Sequence, residues 1–430
     1  MIAANSAPPS ARLRALDLLR GVGITAMVLM HTATFHYAGI THIDFEDPPL
    51  VILLIGFLLT WAGMFAVISG TAYAFAAGRR HEAGTIARAG LLRGYVIAAG
   101  YLLAWHFAYF VVLGPKLLDL EGGNHLVALL PGLIASGAWP TLAPERWFYA
   151  TALSMVGWNA LFVGIALWLG LGRTRDLQRV SPWLAVAGAL VMAVSWWRID
   201  LYPRAVAAME AADPLPALFW GFLVNKNNPL LPYLAFGLLG AWLGLRLLRG
   251  VNARALWPVA AVGTLALAAG VGGLLSLPDT LLEREVDPFW YFLTVAQLGL
   301  FLLLVTAALA VWDRRRAAPA DATVGGGPRP TPRALTPLCR IGTVSLTVFL
   351  LETPVSEAAA RLLSGAVPGW NEGIAACLAF GAVNAATWIV VANAWARVDY
   401  RYSVEWATVR LYRMVGRPTA VLPEPTGGAR

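Results

Sequence analysis

The chain has 430 residues, 58% of them hydrophobic and only 13% charged, with a net charge of +8. Soluble domains carry about 25% charged residues, so this composition cannot cover a water-facing surface and excludes a soluble fold. The basic excess is almost all arginine, with Lys116 and Lys226 the two lysines, and it is scattered between apolar runs. A nucleic-acid footprint would gather on one face instead.

Apolar segments of membrane length fall at 20–38, 50–77, 90–113, 148–171, 181–198, 229–246, 256–277, 289–312, 340–363 and 372–394. Each meets the requirement of about 20 residues for a helical span. The fold class expected is therefore an all-α integral membrane protein with about ten transmembrane helices. The segment 124–140 is apolar but short, and Pro131 and several glycines interrupt it. It is expected to be a re-entrant or interfacial helix, with an eleventh span as the alternative.

Charge supplies an orientation. With ten spans and the N-terminus inside, the inner segments hold 25 arginines against 8 acids. The outer segments hold 5 arginines and 2 lysines against 15 acids. This asymmetry follows the positive-inside rule and places both termini in the cytoplasm of a cell-membrane protein. Trp139, Trp147, Trp183, Trp312, Trp370 and Trp395 sit near span ends, as an aromatic belt would. Residues 1–17 lack the apolar core of a cleaved signal. Cys339 and Cys377 are too few for a disulfide framework. The Pro- and Gly-rich stretch within 313–339 reads as a flexible linker, and 418–430 as a disordered tail.

Ionisable residues at membrane depth are costly and mark function by default. The first span carries Arg20 and His31. Eleven residues at 100° each bring them to one helical face, about 16 Å apart along the axis. Eleven further on stands His42, just before Asp44, Glu46 and Asp47. If the helix continued, all three would share a face. An arginine at the inner mouth suits phosphate, whose geometry matches the guanidinium fork. A histidine in a dry cavity suits general-base work.

In the second span, Ser69, Gly70, Thr71 and Ala72 form a small-residue patch that admits a helix or a ligand close to the backbone. Arg79 and Arg80 follow it and read as solvated anchors. Arg88 and Arg93 open the third span and can face a cofactor pocket. Glu352, midway along the ninth span before Pro354, needs a partner or a cavity. His106, Asn159, Gln297, Asn384 and Asn393 read as interhelical hydrogen-bonding groups. No zinc spacing, Walker loop or dinucleotide fingerprint is present.

The string Leu16-Asp17-Leu18-Leu19-Arg20-Gly21, followed ten residues on by His31, resembles the first span of the acyltransferase-3 family. Phe65-Ala-Val-Ile-Ser69-Gly70 is similar to that family's second-span signature, and Arg88 and Arg93 to the arginines of its third span. The position of His42 resembles that of a functional histidine in the related heparan-α-glucosaminide N-acetyltransferase-like family. Gly342-Thr-Val-Ser345 and Val404-Glu405-Trp406 are looser similarities to the same group.

The resemblance implies a membrane enzyme that takes an acyl group, commonly acetyl, from cytoplasmic acyl-CoA. The acceptor would be a hydroxyl or amine of a sugar, glycan or lipid-linked molecule. No metal is implied, and a homodimer is left open. His31, His42 and Glu352 become the catalytic candidates, and Arg20, Arg88, Arg93 and Ser69 the acyl-CoA-binding candidates. The rival expectation is a proton-coupled transporter or flippase with Glu352, His31 and His106 as a relay.

Overall fold

The computed structural model describes residues 13–43, 48–118, 125–174, 176–211, 213–281, 285–313 and 332–415. Sixteen α-helices follow one another among them: α1 (Arg14–His36), α2 (Leu50–Leu59), α3 (Gly63–Glu82), α4 (Arg88–Ala108), α5 (Leu129–Ser136), α6 (Ala152–Arg173), α7 (Leu177–Val194), α8 (Arg198–Glu210), α9 (Pro214–Val224), α10 (Leu230–Arg246), α11 (Ala253–Leu274), α12 (Pro288–Trp312), α13 (Thr336–Thr343), α14 (Ser345–Ala366), α15 (Ile374–Trp395) and α16 (Val404–Val415).

Nine stretches of helix among the described residues are long and apolar enough to cross a bilayer. A tenth span arises if the pair α13–α14, bent by 80°, is taken as one. The fold is all-helical and multi-pass, as expected. Exposed apolar side chains such as Trp257, Leu265, Leu362 and Val390 face outward along these helices. That placement is stable only in lipid.

The segment 124–140 resolves against an eleventh span. Its helix, α5, is eight residues long, about 12 Å at 1.5 Å per residue. Residues 117–118 and 125–126 pair as a two-residue antiparallel ladder just before it. The expected linker 313–339 is described only at its two ends. Residues 314–331 lie outside the described residues, but 333–335 form a 3-10 turn and α13 begins at Thr336. The expected tail 418–430 also lies outside the described residues.

Small residues let the helix backbones meet. A side chain on Gly70 would come within 2.3 Å of the Gly237 carbonyl oxygen, and one on Gly240 within 2.4 Å of the Val67 oxygen. The small-residue patch of the second span is thus the seam between α3 and α10. A second seam joins α1 to α13, where a Cβ on Gly21 would lie 1.8 Å from the Leu338 oxygen. One on Gly342 would lie 2.0 Å from the Asp17 oxygen.

The first helix is held at several points. Asp313, at the end of α12, accepts from the backbone amides of Arg14 at 3.1 Å and Ala15 at 2.9 Å. A carboxylate there satisfies orphan donors and meets the positive end of the helix dipole. Asn384 of α15 donates to Thr32 at 2.8 Å. The start of α14 is capped by Glu405, which accepts from the amides of Leu346 at 2.7 Å and Thr347 at 3.2 Å. Its other oxygen accepts from the Thr347 hydroxyl at 2.5 Å. Burial pushes both Asp313 and Glu405 above the ordinary carboxylate range, against the pull of these hydrogen bonds.

Candidate functional site

The break between α13 and α14 sets the site. Gly342 docks on α1 at Asp17 and Gly21, and the chain turns at Val344. From there α14 climbs beside α1, with Val348 packed in one cluster with Ile24 and Val28. One further turn along, Glu352 reaches His31. The separation between His31 Nδ1 and Glu352 Oε1 is 3.1 Å. Glu352 is 1% exposed, and the Thr353 hydroxyl donates to the same oxygen at 2.8 Å.

An ionised carboxylate can only accept. Opposite an ionised carboxylate, a neutral imidazole would carry its proton on Nδ1 and turn Nε2 outward as the base. The His31 side chain keeps 19% of its surface, so the imidazole is accessible while its carboxylate partner is buried. The Phe35 ring packs 5.2 Å from the imidazole centroid. Tyr109 is buried within electrostatic reach of Glu352.

Three turns down α1, Arg20 lines a cavity of about 420 Å³ together with Asp17, Phe75, Arg79, Arg80 and Thr85. Arg20 is held to Asp17 by an ion pair of 3.7 Å. The three arginines come from two helices, α1 and the last turn of α3, and line one concavity at the arginine-rich end of the bundle. Phosphate is the ligand such forks recognise best. Arg79 and Arg80 are exposed, in keeping with solvated anchors, and they also line the cavity. A group of three cationic side chains around a concavity is legible only once α1 and α3 are packed together.

Other candidates sit elsewhere. Arg88 lies against α6: its Nε donates to the Trp168 carbonyl at 2.6 Å, and its guanidinium stacks 4.2 Å from the Trp168 ring. Arg93 is exposed. Neither lines the cavity. Ser69 is half-buried on α3, next to the Gly70–Gly237 seam. The shared face expected for His42 does not form. Helix α1 ends at His36, Tyr37 is extended, and His42 closes a separate 3-10 turn with its side chain exposed. Asp44, Glu46 and Asp47 lie outside the described residues. His106 is committed to Thr151, the cap of α6, at 2.8 Å.

Three buried or half-buried groups near the dyad escaped the sequence reading: His36, Lys116 and Glu357. Two of them carried a signal. His36 follows His31 by five residues, and Glu357 follows Glu352 by five inside the same apolar segment. Both satisfy the rule that ionisable groups at membrane depth deserve a functional reading. A fourth, Arg146, is 1% exposed and donates to the carbonyls of Phe110 at 2.8 Å, Leu126 at 2.7 Å and Pro115 at 3.2 Å. Burial lowers its pKa to about 10. It ties down the π-helical turn 109–113 that ends the third span. Turns of this kind are frequent at functional sites.

No curated protein matches the chain in sequence. The family model described as an acyltransferase domain matches residues 13–392, a stretch that contains every side chain of the dyad and of the arginine cavity. The chain therefore belongs to the acyltransferase-3 family and is a multi-pass membrane acyltransferase.

Proposed function

We propose that this acyltransferase takes its acyl group, most simply acetyl, from acyl-CoA at the cytoplasmic face. The acyl group passes to a hydroxyl or amine on a sugar, glycan or lipid-linked acceptor at or across the cell membrane. One observation carries the reading. A single helix bears Arg20 in a three-arginine cavity at one level and His31, paired with Glu352, about 16 Å along the axis. Acyl-CoA has the matching shape, with phosphates at one end and a thioester at the end of a long flexible arm. The excess of arginine at the cavity end supports a cytoplasmic location for that end and for the N-terminus.

The chemistry follows from the tautomer. Glu352 holds the imidazole by Nδ1, and Nε2 takes the proton of the acceptor hydroxyl as its oxygen forms a bond to the acyl carbon. The carbon–sulfur bond breaks, and the proton returns from Nε2 to the departing thiolate. Glu352 orients the ring and stabilises the transient imidazolium, the role of the orienting carboxylate in a catalytic triad. Arg20, Arg79 and Arg80 neutralise the phosphates and fix the register of the arm.

The test is transfer of labelled acetyl from acetyl-CoA by the purified protein in lipid nanodiscs, with a panel of sugars and methyl glycosides as acceptors. Acceptor-dependent CoA release that His31→Ala abolishes, without loss of acetyl-CoA binding, supports the reading. Wild-type rates in His31→Ala, or proton-coupled solute uptake with no transfer, overturn it.

A further inference from the structure

Beyond the dyad, on the side away from the arginine cavity, lies a second group of ionisable side chains. Glu357 stands on α14 and is 4% exposed. Lys116, just after the π-helical turn, brings its Nζ to 3.9 Å from Glu357 Oε1. His36, the last residue of α1, is within electrostatic reach of Lys116. Its ring packs 5.5 Å from Phe380 and 6.3 Å from Trp370. Glu357 follows Glu352 by five residues on α14 and is within electrostatic reach of it.

A carboxylate as buried as Glu357 is expected to close to about 2.8 Å on a purely structural partner, because an unspent buried charge is costly. This pair is open. Its 3.9 Å separation is beyond hydrogen-bonding distance, and the lysine side chain keeps 22% of its surface. Nor is Lys116 needed to staple its own segment, since Arg146 already bonds the neighbouring carbonyls of Phe110 and Pro115.

A carboxylate accepts hydrogen bonds and an ammonium donates them. Two neighbouring hydroxyls satisfy both at once, one donating to Glu357 and the next accepting from Lys116. The rings beside His36 offer an apolar wall of the kind that lines small-molecule sites. A protonated amine acceptor would meet the like charge of Lys116. We propose that Glu357 and Lys116 form the acceptor subsite and bind a pair of adjacent hydroxyls on a polyol, presenting a further hydroxyl to His31. The proposal rests on the acyltransferase reading and narrows its acceptor to a polyhydroxylated molecule.

The experiment compares two acceptors in nanodiscs with labelled acetyl-CoA: methyl α-glucopyranoside, which has adjacent hydroxyls, and 1-butanol, which has one. Glu357→Gln and the half-buried Lys116→Gln are each measured against the wild type. The expected result is a KM for the glycoside raised about ten-fold or more. The KM for acetyl-CoA and any transfer to butanol should stay within about two-fold of wild type. Lys116→Gln carries the test should Glu357→Gln fail to fold. An unchanged glycoside KM in the variants, equal losses on both acceptors, or wild-type transfer to butanol alone overturns the subsite while leaving the acyltransferase reading intact. Wild-type protein that acetylates neither acceptor overturns that reading and the subsite with it.

Discussion

His31 and Glu352 are 321 residues apart in sequence and 3.1 Å apart in space. The contact exists because α14 starts afresh at Ser345, after Gly342 has docked on α1. It rises beside the first helix, so that its second turn meets the imidazole. Glu352→Gln replaces an acceptor-only group by one that can also donate, and the tautomer is no longer imposed. The expected outcome is a kcat for transfer reduced about a hundred-fold or more with KM for acyl-CoA unchanged. Steady-state kinetics on the labelled thioester check it.

The arginines divide into two classes. Arg20→Ala, Arg79→Ala and Arg80→Ala should each raise KM for acetyl-CoA, by about ten-fold for one lost charged hydrogen bond, with little change in thermal stability. Arg88→Ala should do the reverse. It removes the bond to Trp168 and the stacking on its ring, at a cost of about 1–3 kcal/mol in stability. Its KM should stay at the wild-type value. Calorimetry and kinetics on the same four variants decide the assignment.

Gly342 is the close-approach point beneath the dyad. A methyl group there would lie 2.0 Å from the Asp17 carbonyl oxygen, so Gly342→Ala must push α13 off α1. A loss of about 1–3 kcal/mol is expected, the usual cost of overpacking. Because α14 continues from α13, transfer activity should fall even where the variant remains folded. Alanine at Gly272, which has open space around it, is the control: it should leave activity unaltered and should not lower the melting temperature, since alanine is the better helix former.

Asp313 and Glu405 share a pH signature. Both carboxyls are raised above their ordinary values, first by burial. A carboxyl with a raised folded pKa binds its proton more tightly in the folded state. Its stabilising contribution is complete below the unfolded pKa of about 4 and is lost as pH rises through the folded value. The double variant Asp313→Asn, Glu405→Gln has no proton to lose. Its melting temperature relative to wild type should therefore rise as pH goes from about 4 to 7. A constant difference across that range would contradict the assignment.

The sequence by itself determined the class of the protein and the position of nearly every span. Hydropathy over about 20 residues is a local property, and a bilayer imposes it on each segment separately. It also placed Arg20 and His31 on one face, because both lie within a single helix whose period is fixed. That inference stopped being valid at His36, where α1 ends, and so His42 left the face. The local mark of that stop is weak: the helix gives way to an extended Tyr37, and the nearest glycine, Gly39, comes three residues after His36.

Only the tertiary structure decided which charges meet. Glu352 was legible as costly but not as the partner of His31, because the choice of partner depends on a crossing set by Gly21, Gly342 and the break at Val344. Arg79 and Arg80 read as solvated, and Arg88 as free for a cofactor, since a guanidinium looks the same in sequence whether its neighbour is water, a cavity or Trp168. Packing set Arg88 against Trp168 and gave the exposed Arg79 and Arg80 a place on the cavity lining. A side chain's chemistry is written in its identity, but its role depends on desolvation and on the geometry of groups hundreds of residues away.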